Sequence, residues 1–219
     1  HLAVKYCHSD LASRLEELAA RAPATTRRPE LMVADDDEAF AGSPHHLAMM
    51  AAMEEELRAA ARDGKPELVQ TLLTHGAVVN AVDQNGMTPL QFAASKGHLA
   101  VVDKLLEGGA DPAIGNVDGD CPIHIAAMKG HAAVLGRLLA GATDSPDALS
   151  FLVNTTDAFG MTPLHFAAME GHAGILETLL TSGAAPDAAD ADGSTALHFA
   201  ALMAHRIEAP AIVGCLLSQ

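Results

Sequence analysis

Gly160-Met161-Thr162-Pro163-Leu164-His165-Phe166-Ala167-Ala168-Met169-Glu170-Gly171-His172 decides the fold, because the chain repeats it. Gly86-Met87-Thr88-Pro89-Leu90-Gln91-Phe92-Ala93-Ala94-Ser95-Lys96-Gly97-His98 comes first, and Gly119-Asp120-Cys121-Pro122-Ile123-His124-Ile125-Ala126-Ala127-Met128-Lys129-Gly130-His131 starts 33 residues later. The stretch quoted first begins 41 residues after that, and Gly193-Ser194-Thr195-Ala196-Leu197-His198-Phe199-Ala200-Ala201-Leu202-Met203-Ala204-His205 another 33 on. A degenerate copy precedes them all, with Leu57 in the Leu slot and Gly64 in the Gly slot. Self-similarity at such a period marks an array of stacked units.

Each unit carries the signals of a helix, a turn and a second helix. Thr88, Thr162 and Thr195 stand where a hydroxyl can satisfy the orphan amides of a helix start. Pro89, Pro122 and Pro163 follow at the first helical position, where a missing N–H costs nothing. Leu90, Phe92 and Ala93 begin an apolar face, and the paired alanines (93/94, 126/127, 167/168, 200/201) keep the helix thin enough to stack closely. Gly97, Gly130 and Gly171 end it by turning left-handed. The second helix carries Val101-Val102 and Leu105-Leu106, then Leu138-Leu139, Leu179-Leu180 and Leu216-Leu217 in the later copies. One such unit cannot bury its own apolar face, whereas stacked neighbours can.

The period and the Thr-Pro-Leu-His-like tetrapeptides resemble ankyrin repeats. The resemblance implies an all-α repeat solenoid, a stack of helix-turn-helix units with β-hairpin finger loops. About five repeats span residues 50–219, divided as 50–82, 83–115, 116–156, 157–189 and 190–219. Glu55-Glu56-Leu57-Arg58 replaces the tetrapeptide in the first, as expected of a polar capping unit. Eight extra residues, 143–150, are placed in a finger loop, either as an ordered contact loop or as tolerated slack, with slack favoured because loop length costs little. Four more, at 206–209, let Pro210 start the last second helix. No Gly-Ala-Asp closes the array after Leu217, so further repeats are expected to follow. The chain opens on His rather than Met, so its true start is expected upstream. Residues 1–21 read as a short helix pair, possible tail of another domain, and residues 22–48 as an acidic, Pro-containing linker. Leu-Ala-Val-Lys-Tyr (2–6) with the segment at 11–19 resembles the closing helix pair of helical scaffold proteins, such as the replisome scaffold that links helicase to polymerase.

Composition excludes several functions. Thirteen Lys and Arg against 28 Asp and Glu give −15, which repels a phosphate backbone. Nothing approaches the roughly 18 apolar residues of a membrane helix, and no signal peptide is legible. Three cysteines without CxxC spacing read as reduced thiols of an intracellular protein, cytoplasmic or nuclear. Most of the 12 histidines are repeat positions: His124, His165 and His198 fill the tetrapeptide, and His98, His131, His172 and His205 follow the turn. Equivalent positions in packed helices lie about 8–10 Å apart, too far to share a zinc ion with bonds of about 2 Å. Cys121 and His124 have a nucleophile-and-base spacing, but both occupy repeat slots. No loop has phosphate-cradling spacing. The chain is read as a non-enzyme with no cofactor, metal or small-molecule substrate.

The ankyrin resemblance implies that a partner protein binds the concave face, made of first helices and finger tips. The positions after the alanine pair give one column of Ser95, Met128, Met169 and Leu202, and a second of Lys96, Lys129, Glu170 and Met203. The position after the finger Gly adds Met87, Asp120, Met161 and Ser194, with Val117 and Phe159 at the tips. The binding set is therefore Met87, Ser95, Val117, Met128, Lys129, Phe159, Met161, Met169, Glu170, Leu202 and Met203, a Met-rich stripe with polar edges. Net acidity points to a basic or amphipathic partner segment. The function expected is an interaction scaffold or adaptor; the alternatives are a regulatory or targeting module of a larger enzyme or replication scaffold, and a structural spacer. Asn80, seven residues after Leu73, resembles the asparagine that an intracellular hydroxylase modifies in some ankyrin repeats.

Overall fold

The computed structural model describes residues 44–142, 145–202 and 213–216. The helix pair and most of the linker expected before residue 44, the extra residues 206–209 with Pro210, and Met203 lie outside the described residues. The helices are α1 (Pro44–Asp63), α2 (Pro66–Thr74), α3 (Pro89–Lys96), α4 (Leu99–Glu107), α5 (Pro122–Lys129), α6 (Ala132–Ala140), α7 (Pro146–Asn154), α8 (Pro163–Glu170), α9 (Ala173–Thr181) and α10 (Ala196–Leu202). Residues 213–216 are also helical. Packing sorts them into two rows: α1, α3, α5, α8 and α10 form an inner row, and α2, α4, α6 and α9 an outer one. This is the stack of helix pairs that the period of the sequence implies.

The helices begin and end where local chemistry requires it. Thr88 Oγ1 accepts from the Gln91 N–H at 3.2 Å, while Gln91 Oε1 accepts from the Thr88 N–H at 2.6 Å. These reciprocal bonds form a capping box. At the far ends Gly97, Gly130 and Gly171 have φ of 72°, 79° and 86°. A Cβ there would also strike the imidazole of His131 or His172 for the first two, so glycine serves both the turn and the neighbouring repeat. Leu57, Leu90, Ile123 and Leu164 are fully buried at one slot of successive inner helices, and the alanine pairs beside them let the row close. Leu72, Leu105, Leu138 and Leu179 do the same for the outer row.

Three expectations are corrected. The fingers are tight turns rather than β-hairpins; among the described residues the only bridge outside helices joins Ala189 and Thr195. Side-chain oxygens take the N–H groups that a paired strand would satisfy. The linker does not run to residue 48, because α1 already starts at Pro44. A proline read as a breaker is harmless at the first position of a helix. Of the inserted residues, 145–150 are not loop slack, since Ser145 caps α7, with its Oγ accepting from the Ala148 N–H at 3.4 Å. Leu152 and Val153 are buried against the stack.

The helix α7 ends on Asn154, which restores the register. Its Oδ1 accepts from the Ala185 N–H at 2.8 Å, as Asn80 Oδ1 accepts from the Asp111 N–H at 3.0 Å two repeats earlier. Each carboxamide ties its own repeat to the next. Asn154→Ala and Asn80→Ala are each expected to lower unfolding free energy by about 1 kcal/mol, the net worth of such a bond, measured by urea titration. Among the described residues no helix is long and apolar enough to cross a membrane.

Candidate partner-binding groove

The groove has a wall of fingers and a floor of inner helices. In each finger one side-chain oxygen folds the turn. Asp83 Oδ1 accepts from the N–H groups of Asn85 and Met87, both at 2.8 Å, and Asp157 Oδ1 from those of Phe159 and Met161, both at 2.8 Å. Asn116 and Asp190 do the same in the other two. A ladder then joins the turns: the Val117 N–H donates to the Asn85 carbonyl at 3.0 Å, Ala158 to Asp118 at 2.9 Å and Ala191 to Phe159 at 2.9 Å.

The tetrapeptide histidines bolt the helix row to this wall. His124 Nδ1 accepts from the Cys121 N–H at 3.0 Å, so the proton resides on Nε2, which donates to the Thr155 carbonyl at 3.0 Å. His165 repeats the pattern between the Thr162 N–H and the Ser194 carbonyl. Gln91 performs both tasks with an amide, donating to the Ile114 and Asp120 carbonyls. The second histidine set works at the opposite edge, where Nε2 of His98, His131 and His172 meets the carbonyls of Arg62, Ser95 and Met128. Histidines in both sets are thus structural, bonding to backbone as the repeat reading expects.

Electrostatics follows from burial. His124 is held below its ordinary pKa because it is buried, a cost that the Thr155 bond and nearby Asp157 offset only in part. Burial also pushes the Cys121 thiol up, and its Sγ donates to the Ala113 carbonyl at 3.3 Å. Cys121 and His124 therefore do not form an activated nucleophile: the thiol is not acidic and the imidazole nitrogens are spent on backbone. Burial, with Asp157 and Asp118 adding to it, raises Asp120 as well. Among the described residues, no group of three or more His, Cys, Asp and Glu is placed to hold a metal ion.

The expected binding residues divide into two kinds. Val117 and Phe159 are 68% and 62% exposed at the finger tips, and Leu202 is 71% exposed at the end of α10. Met87, Ser95 and Glu170 are half-buried, and Lys129 is exposed. Met128, Met161 and Met169 are half-buried and pack on the core, so they present only part of their surface. Sequence reasoning missed a cleft of about 660 Å³ between α1 and the first finger, lined by Glu55, Arg58, Ala59, Arg62 and Phe92 with residues 82–85. Its cause is visible in the alignment of the repeats: Ala59 fills the slot held by Phe92, Ile125, Phe166 and Phe199. A second cleft, of about 510 Å³, lies between α7 and the loop at 110–113, with Phe151 on its rim, 60% exposed.

No characterised protein matches the sequence closely enough to count as a relative. A sequence model described as ankyrin repeats (3 copies) matches residues 57–147 and again 137–217, well over half of the chain. With the helix pairs, the glycine turns and the ladder of fingers already in place, that match makes the chain a member of the ankyrin-repeat family.

Proposed function

We propose that this chain is a non-catalytic interaction scaffold that holds an amphipathic segment of a partner protein in its concave groove. Ankyrin repeats as a class are protein–protein interaction modules. The observation that supports the reading is the exposure of large apolar side chains at the finger tips, Val117 and Phe159, and on the last inner helix, Leu202, with Met128 and Met169 half-buried. Apolar groups left in water on a rigid frame gain by being covered, and a preformed groove loses little freedom on binding. A charge of −15 favours a protein over a nucleic acid. The reduced thiol of Cys121 suits the cytoplasm or nucleus.

The test passes intracellular lysate over the immobilised chain beside a Met128→Glu/Met169→Glu/Leu202→Glu variant with unchanged helicity and melting. Carboxylates across the stripe are expected to cut partner retention at least tenfold, as each 1.4 kcal/mol lost is a factor of ten. Equal retention by both would place binding away from the groove.

A further inference from the structure

The basic side chains are distributed unevenly with respect to their partners. Those on the outer side are paired: Lys65 with Asp63 at 3.1 Å, Lys104 with Glu107 at 2.8 Å, and Arg137 with Asp103. Those on the inner helices are paired loosely or not at all. Among the described residues Arg58, Lys96 and Lys129 meet no carboxylate, and Arg62 has only a long contact of 3.8 Å to Asp63. Arg58 does donate to the Val82 carbonyl at 3.5 Å, but two lysines at one slot of neighbouring inner helices, neither with a carboxylate in reach among the described residues, are unexpected in a chain with 28 acids.

Helix stability alone does not account for them. Lys96 and Lys129 sit in the last turns of α3 and α5, where a cation complements the helix dipole. Yet α8 carries Glu170 at the same slot, and Arg58 and Arg62 line the cleft that Ala59 opens. The opposite wall has the other sign, with Asp83, Asp118, Asp157 and Asp190 in the fingers. An inner helix of eight residues separates these walls, about 12 Å at 1.5 Å per residue, room for one strand or helix. Along the stack, equivalent positions recur about every 8–10 Å. An extended chain covers that distance in about three residues.

We propose that the occupant of the groove is an acidic, apolar protein segment lying across the first three repeats. Its carboxylates, about three residues apart, face Arg62, Lys96 and Lys129. An apolar side chain enters the cleft against Ala59 and Phe92. This rests on the groove reading above and specifies the charge of the partner. Net acidity does not forbid it, because charge beyond about 8 Å is screened at physiological ionic strength while contacts are not. A nucleic acid also offers anions, but its continuous phosphates would run against the finger carboxylates.

The test selects phage-displayed random 12-residue peptides on the full chain, with Lys96→Glu/Lys129→Glu, Lys96→Gln/Lys129→Gln and Met128→Glu as comparisons. Lys96 and Lys129 are exposed and Met128 is half-buried, and thermal melting checks that each variant folds. The full chain is expected to enrich peptides with Asp or Glu at three-residue spacing and an apolar residue between them. Their affinity should fall at least tenfold on charge reversal, less on the Gln variant, and also on Met128→Glu. Enrichment of basic peptides that Met128→Glu abolishes would overturn the charge assignment and leave the groove standing. Peptides indifferent to every variant, or none enriched, would overturn both. A fluorescent oligo-uridine that binds more tightly than any peptide, and is lost on charge reversal, would overturn it in favour of nucleic acid.

Discussion

Gly119→Ala should cost the stack about 3–4 kcal/mol, whereas Gly193→Ala, at the same slot two repeats on, should cost only about 1–2 kcal/mol. Both glycines are left-handed, with φ of 82° and 78°. An alanine held in that conformation loses roughly 1–2 kcal/mol by itself. The rest depends on what lies opposite. A Cβ on Gly119 would stand 2.7 Å from the Ala158 nitrogen and 3.1 Å from Asp157 backbone atoms, whereas one on Gly193 would meet nothing within 4 Å. Backbone cannot rotate aside like a side chain, so the second and third fingers must part. That breaks the 2.9 Å bond from the Ala158 N–H to the Asp118 carbonyl.

The consequence reaches beyond one bond. A repeat stack coheres only through nearest-neighbour interfaces, so weakening one uncouples the two sides. Gly119→Ala should therefore lower both the urea midpoint and the steepness of the transition, and Gly193→Ala the midpoint alone. Equal losses from the two would mean that the ladder of fingers contributes nothing to the coupling of repeats.

These glycines also mark what could be read in the chain and what could not. The inner helices Pro89–Lys96, Pro122–Lys129 and Pro163–Glu170 were legible to the residue, because proline, cap and glycine act within a few positions of one another. The turns were half legible. Asp-x-x-Gly stands in the sequence, but whether the fingers pair as strands or rung by rung depends on the next repeat. The helix α7 was masked by its polar residues, Asp147 and Ser150. Leu149, Leu152 and Val153, at helical spacing behind Ser145-Pro146, were the available signal. In the groove the stripe was placed by column, but only the packing around Met128 and Met169 determines how much of each is offered. The cleft needed one comparison, Ala59 with Phe92. The unpaired state of Lys96 and Lys129 has no local signature, since pairing is decided by side chains from other repeats.

His124→Gln should leave stability within about 1 kcal/mol of the parent near pH 8 and exceed it near pH 5. The sign follows from burial, which holds the folded-state pKa of His124 below the ordinary 6.5. The unfolded chain then binds the proton more readily, so stability rises with pH across the window between the two values. The contribution is fully present above the ordinary value and is lost as pH falls beneath it. Glutamine removes the titration but keeps the bolts, as Gln91 already demonstrates: its Oε1 accepts from the Thr88 N–H at 2.6 Å and its Nε2 donates to the Asp120 carbonyl at 2.6 Å. Alanine keeps neither. His124→Ala strands the Cys121 N–H and the Thr155 carbonyl in a buried site, which should cost about 2–4 kcal/mol at any pH. Asp120 acts in the opposite sense, since its raised pKa makes stability fall as pH rises above the ordinary 3.8. That contribution is common to parent and variant. The difference between the two melting curves from pH 8 to pH 5 therefore isolates the imidazole. Parallel curves would mean that His124 takes up its proton in the fold as readily as in water, and that the bond to Thr155 rather than burial governs the site.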